Sequence, residues 1–410
     1  MRRSATVPSS DRRSRVPVAV LACLLLVGAV LLGCDGVRDE VGLTAATQDQ
    51  PAPTTAPPST TSTTAAPQVL VAFSPAPEST GIRPDMVAVS ALAAGGELAG
   101  LSVSSPDGPV DGTLTGSTFT PSKPLALAQT YTVSATVQPA TGAAEVRTST
   151  FTTTDPASTV SAEIAPGGNE VVGVGMPVIV AFSDEIDASQ QASVASRLQV
   201  TSTPAVEGSW RWINDYTVHW RPRTYWPAGT QVDVTTDLAG RGFGEQWFDH
   251  SPSEHFSIGD AQVITIDLQG EQMVAYSNGQ VVRTMPISGG RPAYPTAAGT
   301  NLIMEKHDKF EMDSTSVGID GADAYNVVVD NAQRLTNSGT FIHAAPWNSQ
   351  LGQANVSHGC VNASNEDAAW MMEFTRIGDP VEISNSTERV SYTNGWGDWN
   401  LTYEDWATPT

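Results

Sequence analysis

The chain has 410 residues, a formal net charge of −22, 16% charged residues and three cysteines. This length allows two to four domains, and the acidic balance excludes nucleic acid and acidic polymers as favoured partners. Because the cysteines stand at positions 23, 34 and 360, we expect no intramolecular disulfide framework, so the folded domains must be stabilised by packing.

Residues 1–33 have the pattern of a secretory signal peptide, with five arginines before an apolar run from Val16 to Leu32. The run ends at Leu31-Leu32-Gly33-Cys34, which resembles a bacterial lipobox. That resemblance implies cleavage before Cys34 and lipidation of this cysteine. The alternative is an uncleaved transmembrane anchor, because about 17 apolar residues are at the short limit for spanning a bilayer. Either way, we expect the rest of the protein to be extracytoplasmic and tethered to the membrane.

Residues 34–67 are rich in Pro, Thr, Ala and Ser and predict a semi-extended linker, since this composition cannot form a core. Residues 68–155 and 156–258 show short alternating apolar runs broken by Pro and Gly. This pattern predicts a mainly β fold that begins with two tandem immunoglobulin-like β-sandwich modules.

Weak internal repeats support the tandem arrangement. Val-Ala-Phe-Ser occurs at 71–74 and again at 180–183, and Pro121 followed by Ala128 and Thr130 resembles Pro222 followed by Ala228 and Thr230. Four tryptophans cluster in the second module, namely Trp210, Trp212, Trp220 and Trp226. They can form a carbohydrate platform, but we favour packing in the core and between modules.

Residues 259–385 predict a β-rich domain with one main helix. The strands include 263–268, 273–276, 301–305 and 325–329, and Asn278-Gly279 favours a type I′ hairpin turn. Ser364 is expected to cap a helix that ends at Phe374. Residues 386–410 form a Trp-rich C-terminal segment, which we expect to dock on a folded body rather than to bind a ligand.

The residues that point to chemistry are Cys360, in Ser357-His358-Gly359-Cys360-Val361-Asn362, and His343, which lies 17 positions upstream. Cysteine reacts as the thiolate, and a nearby imidazole generates it at neutral pH. The pair is therefore a candidate nucleophile and base, provided that the fold brings the two together.

An extended segment would place His358 and Cys360 on one face, and Phe341 and His343 on another. Gly359 would leave room for a substrate carbonyl, and the amides of 358–360 are candidate oxyanion donors. Two alternatives remain at this point: Cys360 can be a buried small hydrophobic residue, or His343, His358 and Cys360 can bind zinc. The sequence has no Cys-x-x-Cys or His-Glu-x-x-His spacing, so we expect no metal and no cofactor.

Phe341-Ile342-His343 followed by Ser-His-Gly-Cys-Val-Asn resembles the active-site signature of the L,D-transpeptidases with a YkuD-type catalytic domain. Further matching pieces are the Gly289 to Gly299 loop, Met312-Asp313-Ser314, and Ala345-Pro346-Trp347. With the lipobox, the two immunoglobulin-like modules and the Gly-Asp-Trp-Asn tail, the chain is similar to the mycobacterial-type lipoprotein enzymes.

This resemblance implies that Cys360 attacks the diaminopimelate carbonyl of a peptidoglycan tetrapeptide, releases D-alanine and forms a thioester. A diaminopimelate amine of a second stem then gives a 3→3 cross-link, with His343 as base and acid. The resemblance assigns His358 and Gly359, with Ser357 and Asn362, to the pocket and oxyanion site. It assigns Tyr325, Met312 and Trp347 to the substrate cleft. It also implies covalent inhibition by carbapenems and a lipid-anchored location reaching into the cell wall.

Two departures from the family pattern are Ala344, where close relatives often have Ser, and Val317, where they often have an aromatic residue. We expect the backbone carbonyl of Ala344 to hold the imidazole tautomer in place of a hydroxyl. Two other functions remain open from the sequence. One is an L,D-carboxypeptidase that transfers the acyl group to water, and the other is a catalytically silent cell-wall-binding scaffold.

Overall fold

The structure is a computed structural model that describes residues 68–318 and 320–408. The predicted signal peptide, lipobox and linker, including Cys34, lie outside the described residues. Within the described part of the chain, no helix is long and apolar enough to cross a membrane. Strands dominate this part of the chain, which confirms the predicted mainly β fold class.

The first sandwich consists of two sheets with the strand orders β1-β3-β7-β6 and β2-β9-β8-β4-β5. Its core lies between the sheets and includes Val133, Ala135 and Phe151. Its strands are β1 (Leu70–Ser74), β2 (Ser79–Ile82), β3 (Val89–Ala94), β4 (Gly96–Ser105), β5 (Gly108–Pro109), β6 (Gly112–Thr115), β7 (Thr118–Pro121), β8 (Thr130–Pro139) and β9 (Glu145–Thr153).

The second sandwich has the orders β10-β12-β15-β14 and β11-β19-β16-β13, with a small β17-β18 hairpin. Its elements are β10 (Ala162–Ala165), β11 (Val171–Val172), β12 (Val178–Phe182), α1 (Ala188–Ala195), β13 (Leu198–Thr203), β14 (Gly208–Asn214), β15 (Thr217–Pro222), β16 (Gln231–Thr236), β17 (Gly242–Phe243), β18 (Gln246–Trp247) and β19 (Ser253–Ile258).

The two sandwiches share one topology. In each, the short strand β2 or β11 pairs in parallel with the last strand, β9 or β19, while the other ladders between named strands are antiparallel. The proline repeat is real, because Pro121 ends β7 and Pro222 ends the equivalent strand β15. The Val-Ala-Phe-Ser repeat is not structural. Residues 71–74 lie in β1, whereas 180–182 lie in β12, which is the counterpart of β3. The limits at 155 and 258 stay predictions.

The tryptophans of the second sandwich are packing residues, as favoured from the sequence. Trp226 is 2% exposed, its Nε1 donates to the carbonyl of Met176 at 2.7 Å, and its ring lies 5.2 Å from that of Trp220. Ile377 and Trp396, from beyond residue 259, pack against the same cluster. The cluster therefore joins the second sandwich to the rest of the chain.

The third region contains two sheets, β22-β21-β20-β28-β23 and β24-β25-β26-β27, with one longer helix. Its core includes Ile264, Met273 and Ile342. Its elements are β20 (Gln262–Asp267), β21 (Gln272–Ser277), β22 (Gln280–Pro286), β23 (Gly299–Leu302), β24 (Glu305–Asp313), β25 (Asn326–Arg334), β26 (Phe341–Ala344), β27 (Val361–Ala363), α2 (Asn365–Phe374) and β28 (Pro380–Ser384).

Local signals in this region behave as expected. Asn278 and Gly279 both have positive φ, as a type I′ turn requires. The Ser364 side chain accepts from the Asp367 amide at the start of α2, which ends at Phe374. One strand prediction was wrong, because 301–305 is not continuous: β23 ends at Leu302 and the long strand β24 begins at Glu305.

The C-terminal segment docks between the second sandwich and the third region. α3 (Tyr403–Ala407) carries Trp406, which is fully buried and donates from Nε1 to the carbonyl of Ser209 at 2.9 Å. The buried guanidinium of Arg221 lies over the ring of Trp406 at 5.0 Å. Asn400 exchanges two hydrogen bonds with the backbone of Thr300. The C-terminal segment is thus packed against both neighbouring parts of the chain.

We therefore expect Trp406→Ala to lower the free energy of unfolding by about 3–5 kcal/mol, because it leaves a cavity and removes a buried hydrogen bond. Chemical denaturation followed by circular dichroism measures this change. The matched control is Trp347→Ala, whose side chain is 57% exposed and should change stability by about 0.5 kcal/mol or less. Equal effects of the two substitutions would contradict a structural role of the docked tail.

Candidate active site

Two adjacent strands bring the sequence-predicted nucleophile and base to one place. β26 and β27 pair in parallel, with Ile342 opposite Val361 and His343 opposite Asn362. Residues 341–344 and 361–363 are all buried, which fits short strands covered on both faces. Because Cys360 directly precedes β27, its side chain and that of His343 open into the same cavity.

The tautomer of His343 follows from its hydrogen bonds. Nδ1 lies 2.8 Å from the carbonyl oxygen of Ala344, which can only accept, so Nδ1 carries the proton. Nε2 then accepts from the side-chain amide of Asn362 at 3.0 Å, and Asn348 donates to Asn362 Oδ1 at 3.0 Å. The backbone carbonyl of Ala344 thus takes the orienting role expected of it. Burial lowers the pKa of His343, although the Ala344 carbonyl acts in the opposite direction, so the imidazole is neutral at pH 7.

The Cys360 thiol is buried and protonated in this structure. Its side chain is 7% exposed among Met312, Val329 and Phe341, and Sγ donates to the carbonyl of Gly339 at 3.6 Å. Burial raises the pKa of the thiol to about 11, against smaller lowering effects of the Phe341 amide and of Arg334. Among the described residues, no hydrogen bond joins Sγ to His343, so the two side chains are not arranged as a thiolate–imidazolium pair.

The loop 357–360 is not extended, and the prediction that His358 and Cys360 share one face of a strand was wrong. Gly359 has φ +117°, a conformation that requires glycine, and a bend replaces the strand. The Ser357 hydroxyl donates to the carbonyl of Cys360 at 2.6 Å and accepts from the Gly359 amide at 3.1 Å. Thr296 Oγ1 donates to the carbonyl of Gly359 at 2.8 Å. These bonds fix the loop that carries the nucleophile.

Of the three amides proposed as oxyanion donors, one is already used. The Gly359 amide is bonded to Ser357 Oγ. The amides of His358 and Cys360 have no hydrogen-bond partner in the described part of the chain. The latter two therefore stay candidate donors toward a bound ligand.

The segment that joins β24 to β25, called the flap here, packs beside Gly339, the residue to which the Cys360 thiol donates. Asp313 caps a 3-10 turn, Ser314–Val317, by accepting from the Thr315 amide at 2.9 Å. A Cβ added at Gly339 would lie 2.8 Å from Val317 Cγ1, so Val317 packs directly on the residue whose carbonyl accepts from Cys360.

The cavity beside the thiol has a volume of about 910 Å³. Eight of the nine residues predicted for catalysis or substrate binding line it, and Gly359 is the exception. The eight are Met312, Tyr325, His343, Trp347, Ser357, His358, Cys360 and Asn362. Trp347 is 57% exposed and stands at the rim. Among the described residues, no group of three or more His, Cys, Asp or Glu side chains is placed to hold a metal ion.

His358 lies between two tyrosine rings at the cavity wall. Its ring centroid is 5.3 Å from that of Tyr294 and 5.1 Å from that of Tyr325. Burial lowers the pKa of His358, and the nearby Arg291 adds to the effect. The cavity is also lined by Arg291, Asp323 and Asn348, which no local motif in the sequence marks.

Two family models match the chain. Residues 261–383 match the L,D-transpeptidase catalytic domain, and residues 79–242 match a bacterial Ig domain. The second match extends across both sandwiches. The first contains β26, β27, the flap and the loop that carries Cys360.

Individual proteins are also similar. The chain is 35% identical to L,D-transpeptidase 2 of Mycobacterium tuberculosis over 326 residues, which cover 78% of this chain and 79% of the relative. A solved L,D-transpeptidase in complex with imipenem is 34% identical, covering 56% of this chain and 100% of that one, with a TM-score of 0.49. L,D-transpeptidase 3 of M. tuberculosis, solved with a faropenem-derived adduct, is 33% identical, covering 55% and 98%, with a TM-score of 0.48.

The environment of Cys360 predicts slow alkylation at neutral pH. Because burial raises the thiol pKa from its ordinary value of 9.0 to about 11, the thiolate fraction at pH 7 is below that of a free cysteine. We expect the rate of iodoacetamide labelling at Cys360, followed by peptide mass mapping, to keep rising through pH 9. N-acetylcysteine is the reference thiol. A plateau already reached by pH 8 would show a thiolate–imidazolium pair in the resting protein and contradict this assignment.

Proposed function

The chain belongs to the L,D-transpeptidase family, and we propose that it is a cysteine acyltransferase that forms 3→3 cross-links between peptidoglycan stems. The donor is a tetrapeptide stem ending in meso-diaminopimelate-D-alanine, and the acceptor is the diaminopimelate amine of a neighbouring stem. The single observation that supports this most directly is the shared cavity of about 910 Å³, into which Cys360 and a neutral, oriented His343 both open.

In the first half-reaction, the thiol proton passes to Nε2 of His343 as Sγ bonds to the diaminopimelate carbonyl carbon. The His343 imidazolium is oriented by its Nδ1–H bond to Ala344. When the tetrahedral intermediate collapses, the C–N bond to D-alanine breaks and Nε2 returns the proton to the leaving amine. The product is a thioester on Cys360.

In the second half-reaction, the acceptor amine loses a proton to Nε2 of His343 and attacks the thioester carbonyl. The C–S bond breaks, and the thiolate of Cys360 recovers the proton. The amides of His358 and Cys360 stabilise the oxyanion in both halves, which is consistent with their lack of partners among the described residues.

Two hydrogen bonds of the unliganded site must break before the first proton transfer. The thiol must turn away from the carbonyl of Gly339, and the Asn362 amide must release Nε2. Proton transfer concerted with attack suits a thiol whose pKa is about 11, because a free thiolate at neutral pH would be costly in this environment. Met312, Tyr325 and Trp347 would hold the stem in the cleft, and Ser357 would keep the nucleophile loop in place.

The test of this function is product analysis with a disaccharide-tetrapeptide donor and a tripeptide acceptor. We expect D-alanine release together with a dimer whose fragmentation shows a bond between two diaminopimelate residues. Cys360→Ala should abolish both products, and His343→Gln should lower kcat/KM by about 10²–10⁴-fold. Release of D-alanine without dimer would identify an L,D-carboxypeptidase instead.

Covalent reaction with a carbapenem serves as the control for nucleophile reactivity. We expect one stoichiometric adduct by intact mass, absent from the Cys360→Ala protein, because the strained lactam carbonyl meets the same nucleophile and base. A folded protein that neither forms this adduct nor turns over the tetrapeptide would have an inert Cys360. The scaffold function would then replace the enzymatic one.

We propose further that the protein is lipid-anchored at Cys34, and that the two sandwiches set the reach of the active site into the wall. The lipobox at 31–34 and the Pro/Thr-rich linker support this proposal. The expected result is that the protein fractionates with membranes and that Cys34→Ala moves it to the soluble extracytoplasmic fraction. Membrane retention of the Cys34→Ala protein would instead favour the transmembrane-anchor alternative.

A further inference from the structure

The cavity beside Cys360 contains one permanent cation. Among the described residues that line it, Arg291 is the only lysine or arginine and Asp323 is the only carboxylate. In a chain whose net charge is −22, a guanidinium in this position is a local exception. We propose that Arg291, assisted by the Tyr294 hydroxyl, binds the C-terminal carboxylate of the donor stem peptide. This inference rests on the proposed function and assigns a specificity-determining residue to it.

The backbone of Arg291 is fixed to the loop that carries the nucleophile. Its amide donates to the carbonyl of Ser357 at 2.9 Å, and the Ser357 amide donates to the carbonyl of Gly289 at 3.0 Å. Ser357 in turn holds the carbonyl of Cys360 through its hydroxyl. These bonds fix the main chain from which the Arg291 side chain projects relative to the loop that carries Cys360.

A carboxylate of the protein itself already occupies this site. Asp323, on the flap, accepts from Arg291 Nη2 at 2.6 Å and from the Tyr294 hydroxyl at 3.0 Å. Arg291 first, and then Tyr294, lower the pKa of Asp323, so this carboxylate is ionised at neutral pH. The guanidinium and the phenol hydroxyl thus converge on one anion with the geometry that a substrate carboxylate needs.

Exchange of Asp323 for a substrate carboxylate is physically easy. The side chains of Arg291 and Asp323 are 31% and 46% exposed, and ion pairs at such positions contribute little to stability. Asp323 accepts from Nη2 of Arg291, and the guanidinium lies over the ring of Tyr294, 4.9 Å from its centroid. Guanidinium donors therefore remain for a bidentate interaction with an incoming carboxylate.

Among the free carboxylates of the donor, we assign that of the terminal D-alanine to this site. The scissile carbonyl belongs to diaminopimelate, and the free carboxylate of D-alanine is one residue beyond it. A cation fixed beside the nucleophile can recognise that terminal carboxylate, which separates stems that end one residue after the scissile bond from longer or capped stems. Because the interaction positions the leaving residue and takes no part in proton transfer, Arg291 is a specificity residue and not a catalytic one.

Two matched donors test this inference: the tetrapeptide stem with a free C-terminal carboxylate, and the same stem ending in D-alaninamide. With a common acceptor, kcat/KM is measured from the release of D-alanine or D-alaninamide. We expect the unsubstituted protein to prefer the acid by about 10- to 100-fold, the range of charge-assisted hydrogen bonds. Arg291→Gln should bring this ratio close to one, and Asp323→Asn should keep the preference while lowering KM for the acid.

The matched control is Arg197→Gln, which removes an arginine of similar exposure from an ion pair with Asp237 in the second sandwich and should leave the ratio unchanged. Unchanged melting and iodoacetamide labelling of Cys360 would show that Arg291→Gln is folded. If Arg291→Gln keeps the preference for the acid donor, or lowers kcat/KM equally for both donors, the inference is wrong while the proposed function still stands. No turnover of either donor by the unsubstituted protein would overturn the proposed function, and this inference with it.

Discussion

The parallel pairing of β26 with β27 is the constraint on which the active site depends. It sets His343 opposite Asn362 and places Cys360 at the start of the neighbouring strand. Both strands are buried, so the chain cannot shift their register without exposing the core that includes Ile342 and Val361. The hydrogen bond from His343 Nδ1 to the Ala344 carbonyl depends on the same backbone. A main-chain acceptor cannot be removed by substitution, which explains how the site keeps an oriented imidazole without a hydroxyl at 344.

The pKa shifts of Cys360 and His343 both favour the uncharged form of the side chain. The thiol pKa of about 11 and the lowered pKa of His343 have the same first cause, which is burial. Burial favours the protonated thiol and the neutral imidazole, and in the proposed mechanism the thiol proton is the one transferred during attack. Val317 of the flap packs on Gly339, the residue that accepts from the thiol. In the proposed mechanism, substrate binding supplies both access to the thiol and the rearrangement that brings Sγ to Nε2 of His343.

Much of the fold and of the site was predictable from the sequence, and the failures have physical reasons. The Asn278-Gly279 turn and the Ser364 cap are local signals that depend on a few neighbouring residues, and both are confirmed. The residues from 357 to 362 could be named together because they are contiguous in the sequence. The bend at Gly359 was missed because the prediction assumed an extended segment, in which alternate side chains share a face. The positive φ of Gly359 breaks this pattern. Arg291 and Asp323 are 32 positions apart and meet only through the tertiary fold, so no local pattern could join them.

The most direct measurement for the central claim is detection of the acyl-enzyme itself. The protein is mixed with the tetrapeptide donor in the absence of acceptor, quenched in acid within milliseconds to seconds, and digested for peptide mass mapping. We expect the peptide containing Cys360 to gain the mass of the donor minus that of D-alanine. Added acceptor should then convert this acyl-enzyme into the 3→3 dimer. Release of D-alanine while every Cys360 peptide remains unmodified would contradict the account, because the acyl group would then never be on the sulfur.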